Sequence, residues 1–136
     1  MLTVMEKVAL LQTVEGFRAV PTQSLARVAA IAQEVDYQAR QALYKDNEAA
    51  DSMFVLLEGE VALLRPGQEE KKLGPGQVAG FLAFLAGDTE PESAVATHPV
   101  RALRLDQEDF YDAMAEDFNL TRGILRTVVR RAAGTR

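Results

Sequence analysis

The feature that most limits what this chain can fold into is the punctuation between residues 35 and 105. Short apolar or alternating runs stand at Val35–Tyr37, Ala42–Tyr44, Met53–Leu57, Val61–Leu64, Lys71–Leu73, Ser93–Thr97 and Val100–Leu105. Turn-forming residues separate them: Asp46-Asn47, Glu58-Gly59, Pro66-Gly67, Gly74-Pro75-Gly76, Gly87-Asp88 and His98-Pro99. Runs this short cannot be helices with their own buried face. Several short strands at regular spacing with such turns predict a β-sandwich or barrel.

Helical periodicity brackets this region. Leu2, Met5, Val8, Ala9, Leu11 and Gln12 predict an amphipathic helix over 3–14, ended by Gly16. Pro21-Thr22 suits the start of a second helix, with Leu25, Val28, Ala29 and Ala32 as its apolar stripe. After Leu105, Asp106 is a good N-cap, with Glu108 and Asp109 in the positive first turn. Phe110, Met114 and Phe118 follow at helical spacing, and Asn119 can cap a last helix. The expected organisation is α+β, a single domain over 1–136. Helices fill about 3–33, the β region about 35–105 and C-terminal helices about 106–133, with a fraying Gly134-Thr135-Arg136 end.

Composition removes several function classes. The 136 residues include no cysteine and one histidine, His98. That excludes a disulfide scaffold, a thiolate metal site and a Cys nucleophile, and it leaves too few imidazoles for a zinc or iron centre. Ser93 has no histidine at a triad's spacing. Neither a catalytic residue nor a metal ligand is predicted, and no cofactor. No apolar run approaches a membrane span, and Glu6 and Lys7 interrupt the N-terminal segment where a signal peptide would be apolar, so the expected compartment is the cytoplasm. The net charge of −5 is unevenly spread. All 20 acids and ten of the 15 bases lie within 1–118; the remaining segment holds Arg122, Arg126, Arg130, Arg131 and Arg136 and no acid. Such a tail can bind nucleic acid or dock on an acidic protein surface. Without interleaved aromatics or a basic body, nucleic acid is the weaker reading.

The stretch Leu43–Val61 and the turn Leu73-Gly74-Pro75-Gly76 carry a resemblance. Their order is an aromatic, an Asp-bearing turn, an aliphatic run and Gly59 before Val61, then a Leu-Gly-x-Gly turn. This resembles the cyclic-nucleotide-binding domain of catabolite-activator regulators and of protein kinase A regulatory subunits. The resemblance implies a double-stranded β-helix, a jelly-roll-like β-roll, flanked by N-terminal and C-terminal helices. Asn47 stands where the family usually has Gly, a mild change because Asn tolerates positive φ. Asn47, Gly59, Gly74 and Gly76 are the expected turn positions.

The resemblance also implies a ligand cassette, and here the sequence departs from it. The family cassette has a Gly, a ribose-binding Glu, a small residue, and then Arg-Ser/Thr-Ala, whose arginine holds the cyclic phosphate. The matching residues are Gly80, Phe81, Leu82 and Ala83, then Glu92, Ser93 and Ala94. Phe81 replaces the ribose acid and Glu92 the phosphate arginine, while the loop before Glu92 adds Asp88 and Glu90. Two unit charges ~5 Å apart interact by about 3 kcal/mol at an effective dielectric near 20. Reversing one turns that attraction into a similar repulsion, against the roughly 8 kcal/mol of a micromolar complex. The expectation is therefore a non-enzymatic regulatory or interaction domain with a degenerate cassette that does not hold cAMP or cGMP tightly. The alternative is a sensor of another metabolite, or of a cyclic nucleotide bound unconventionally, in a pocket with an aromatic wall of Phe81 and Phe84 and a rim of Asp88, Glu90 and Glu92. In the family the last helix pairs with its twin and covers the nucleotide. That makes Leu120, Ile124, Leu125 and Val128 the expected dimer or lid positions, with a second copy or another protein as partner.

Overall fold

The computed structural model describes residues 1–134. Arg136 and the expected fraying at Thr135-Arg136 lie outside them. The chain divides into two compact units, Met1–Ala32 with Glu108–Arg136, and Gln33–Gln107.

In the helical unit, α1 (Val4–Gln12) opens with a capping box: Thr3 Oγ1 accepts from the Glu6 amide while the Glu6 side chain accepts from Thr3 N–H. Its Val8 and Leu11 are buried. The helix ends at Thr13, and Gly16 lies beyond it, inside a 3-10 turn at Glu15–Phe17. Pro21 caps α2 (Thr22–Ile31), and the predicted stripe of Leu25, Val28, Ala29 and Ala32 is buried. Helices α4 (Gln107–Glu116) and α5 (Phe118–Ala132) close the unit (α3 belongs to the β unit). Asp117, not Asn119, caps α5, because its carboxylate reaches the Leu120 amide. Asp106 ends a strand, and its carboxylate accepts from Ser52 Oγ and pairs with Arg104. The break at Asp117 also takes Phe118 out of the Phe110–Met114 stripe: Phe110 is buried against Phe17, whereas Phe118 is exposed.

The β unit holds two four-stranded antiparallel sheets. One runs β1 (Gln33–Tyr37), β8 (Val100–Asp106), β3 (Ser52–Glu58), β6 (Val78–Ala79). The other runs β2 (Ala42–Tyr44), β7 (Ser93–Ala96), β4 (Val61–Leu64), β5 (Lys71–Leu73). Their inner faces share one core, built from Tyr44, Phe54, Leu56, Val61, Ala79, Ala94, Ala96, Val100 and Ala102. The seven predicted runs are strands; only the short β6 is additional. The β3–β4 turn needs glycine: Gly59 has φ +90°, and a Cβ there would fall on the Pro99 carbonyl oxygen. Asn47 takes φ 68°, the left-handed conformation expected of it. Gly74 and Gly76 form the turn after β5, where the Gly76 amide donates to Leu56 O at 2.8 Å.

Among the described residues no helix is long and apolar enough to cross a membrane, and no group of three or more His, Asp or Glu could hold a metal ion.

Candidate ligand cassette

The cassette is assembled from three parts of the β unit. Strand β6 delivers Gly80, whose φ of +86° turns the chain into the short α3 (Phe81–Ala86). Gly87 ends that helix in the same left-handed region, and the chain returns through residues 88–92 into β7. The return loop is held by the β2–β3 loop. Asn47 N donates to Glu90 O and Glu90 N donates to Glu48 O, both at 2.8 Å, and Ala50 N donates to Asp88 O at 3.0 Å. The return loop that follows the turn at Gly80 and the short helix is thus tied to the β2–β3 loop by backbone hydrogen bonds.

Its side chains do something else. Phe81 and Phe84 are buried, while Leu82 faces solvent and Ala83 is half-buried. The aromatic residues therefore pack inward and do not wall an open pocket. Ser93 is committed to the turn ahead of it, since its hydroxyl accepts from the Asp46 amide at 3.0 Å and donates to Asp46 Oδ1 at 3.1 Å. Ala94 is fully buried in the core.

The acids divide into two kinds. Ala94 and Ala96 of β7 point inward, and Glu92 continues that side by strand alternation. The β4–β7 register pairs Leu64 with Ser93, so Arg65 comes opposite Glu92 one step further on. Arg65 Nε lies 3.8 Å from Glu92 Oε1. Arg65, just past the end of β4, thus brings a cation to Glu92. Glu90 is not a rim residue: it is only 2% exposed, and its Oε2 has no hydrogen-bond partner among the described residues. A Cβ on Gly80 would sit 3.1 Å from that oxygen and 3.4 Å from the Tyr44 ring. The carboxyl therefore rests on the bare glycine at the head of α3. Burial, with help from Glu92 and Asp51, pushes its pKa up to about 7. Burial, then Glu90 and Glu92, also pushes the Tyr44 hydroxyl well above its usual range. Tyr44 in turn stacks on Phe54 with ring centroids 6.3 Å apart.

The sensor alternative read from the sequence put Glu90 on a pocket rim, and Arg65 was not among the predicted site residues. Only the β4–β7 register could have revealed Arg65. The C-terminal helix separates its expected positions too. Leu120 and Ile124 are buried inside the helical unit and Val128 is half-buried, whereas Leu125 is 59% exposed. The outward apolar stripe is Phe118, Leu125 and Val129. A different concavity of about 420 Å³, lined by Asp36, Tyr37, Gln41, Glu58 and Arg101, includes no predicted site residue.

A glycine-headed short helix, a return loop and a small-residue strand inside a β-roll are the arrangement that the resemblance to a cyclic-nucleotide-binding domain implies. Residues 34–117 match the family model of the cyclic nucleotide-binding domain. The chain belongs to that family. Among curated proteins it is similar to the CRP-like cAMP-activated global transcriptional regulator of Mycobacterium tuberculosis, at 22% identity over 88% of this chain and 55% of the relative. The chain thus spans about half the length of that regulator. Among solved structures, the N-terminal domain of a transcriptional regulator from Streptomyces coelicolor A3(2) superposes with a TM-score of 0.80 at 25% identity, over 92% of this chain and 93% of that one. The regulatory subunit of a cAMP-independent protein kinase A from Trypanosoma brucei gives 0.79 at 14% identity, over 96% of this chain and 46% of that one.

Proposed function

We propose that this chain is a non-enzymatic regulatory domain of the cyclic-nucleotide-binding type whose cassette does not hold cAMP or cGMP tightly, and that it acts in the cytoplasm through self-association or a protein partner. The fold does not decide the ligand, since a cAMP-activated regulator and a cAMP-independent kinase subunit are both among its likenesses. The observation that carries the proposal is the buried Glu90 carboxyl resting on Gly80 at the head of α3, with Glu92 beside it. A cyclic phosphate brought there meets two carboxyl groups, and the Arg65 guanidinium already faces Glu92. Repulsion of about 3 kcal/mol from a single ionised neighbour removes two orders of magnitude in affinity. Self-association is supported by the apolar stripe that α5 leaves exposed.

Titration calorimetry with cAMP and cGMP at pH 7.5 tests the ligand half. We expect no saturable heat below about 100 μM, an affinity weaker than ~5.5 kcal/mol; a micromolar dissociation constant overturns it.

One observation favours a second reading, a sensor of a different small molecule. The unpartnered Glu90 Oε2 can accept a hydrogen bond from a ligand that carries donors rather than phosphate. Thermal-shift screening of amine, amide and nucleoside metabolites separates the readings. A shift that Glu90→Gln abolishes favours the sensor, and no shift with any of them leaves the interaction domain.

A further inference from the structure

The helical unit carries two sets of unpaired charge that match each other. Between α2 and α4 lies a groove of about 300 Å³ whose apolar lining is Ala30, Ile31 and Ala113. Asp109, Asp112 and Glu116 stand on its α4 side. Glu116 is already paired with Arg27 at 2.7 Å, while Asp109 and Asp112 take part in no ion pair among the described residues. On α5, Arg122, Arg126 and Arg130 are exposed and likewise lack an ion pair there. They flank the exposed Leu125 and Val129.

The two surfaces are opposite in sign and comparable in spacing. Asp109 and Asp112 are three residues apart on a helix, about 4.5 Å of rise, and Arg122 and Arg126 are four apart, about 6 Å. Leucine and valine between the arginines suit a lining of alanine and isoleucine. A basic helix lying over an acidic groove desolvates apolar surface at the centre and leaves the charges at the rim, where complementarity selects the partner.

We propose that the α2–α4 groove is the docking site for α5 of a second copy of this chain. Under two-fold symmetry each α5 seats in the other copy's groove, so the contact forms twice and closes. This rests on the self-association reading above and specifies which surfaces meet. It differs from simple pairing of one α5 with its twin, which would bring both sets of arginines together.

Charge reversal on the full chain tests it, with mass measured by light scattering after size exclusion. Asp109→Arg with Asp112→Arg makes groove and helix both basic; Arg122→Glu with Arg126→Glu makes both acidic. Each doubly reversed protein alone is expected to dissociate at least about 30-fold more readily than the wild type, and an equimolar mixture to recover a dimer, because each helix then meets a groove of opposite sign. Far-UV circular dichroism establishes that each is folded, and Leu125→Glu gives an independent disruption of the same helix face. A wild type that stays monomeric at 200 μM (roughly a 5 kcal/mol limit) overturns self-association and the groove with it. If the groove-reversed protein still pairs as the wild type does, while Leu125→Glu does not, the groove assignment alone is wrong.

Discussion

The β3–β4 turn and the turn into α3 both rest on a glycine at positive φ, but what lies beside the two glycines differs. Gly59 sits at positive φ with the Pro99 carbonyl where a side chain would be. Gly80 also sits at positive φ, yet what fills the space beside it is a carboxyl from the protein's own return loop. Both glycines are required by backbone geometry, and geometry is independent of which charges line the surface. A β-roll can therefore keep its backbone while the charges along residues 80–94 vary, since strand pairing and the apolar core do not depend on those polar atoms. The helical unit adds a second contrast: its inward positions Leu120 and Ile124 are packed, while Leu125 and Val129 on the same helix are not.

The sharpest way to break this comparison is at Gly59. Gly59→Ala places a methyl group on a backbone oxygen that is held in place by the adjacent strand β8, and it strains φ besides. We expect a loss of more than about 2 kcal/mol of stability, read as a fall in the urea midpoint at unchanged slope. If the midpoint hardly moves, the turn is softer than the packing implies, and the backbone half of the comparison fails.

The next largest effect is at Glu90, and its sign follows from the direction of the shift. Its folded pKa, about 7, lies above the ordinary carboxyl value of 4.5. The folded state therefore binds the proton more tightly than the unfolded chain does. The resulting stabilisation is complete below pH ~4.5 and is lost as pH rises through about 7, on the order of 2–3 kcal/mol in all. Glu90→Gln keeps the shape without the charge, so its stability should be flat across that window where the wild type declines. Parallel curves for the two proteins would mean that another group carries the titration. The same pair of proteins bears on the cassette: adding Glu92→Arg to Glu90→Gln removes both carboxylates and returns a guanidinium. Binding of cAMP should then strengthen by at least tenfold, about 1.4 kcal/mol.

How far the sequence revealed these features depends on how local the cause is. The strand runs were legible because alternation and turn residues act over a few positions, and Val61–Leu64 and Lys71–Leu73 are strands with those very bounds. β6 was not, because a two-residue strand at Val78–Ala79 has no periodicity to read; it exists through pairing with Phe54 and Val55. That residues 80–94 hold Asp88, Glu90 and Glu92 and no Lys or Arg is plain in the sequence. What those acids do is not. Glu90 is buried because the loop carrying it is hydrogen-bonded to residues 47–50, and Arg65 meets Glu92 through a register set across two strands. In the same way Asp117 and not Asn119 caps α5, since it is the Asp117 carboxylate that accepts from the Leu120 amide where α4 breaks.

Asn47 gives the smallest expected effect and the finest test of whether the cassette loop depends on its backbone alone. It occupies φ 68°, and its amide donates to Glu90 O at 2.8 Å. Asn47→Gly retains that amide and relaxes the backbone, so stability should change by less than about 0.5 kcal/mol. Asn47→Ala retains the amide as well but places an ordinary side chain in left-handed space, at a cost of about 1 kcal/mol. Both substitutions leave the Glu90 carboxyl in its recess, so the decline in stability between pH 4.5 and 7 should persist in each. Denaturant unfolding at pH 5 and pH 7.5 measures the two quantities together. If the alanine variant loses the pH dependence along with its stability, the loop and the buried carboxyl form one unit, and the separation of backbone from charge at this end of the fold does not hold.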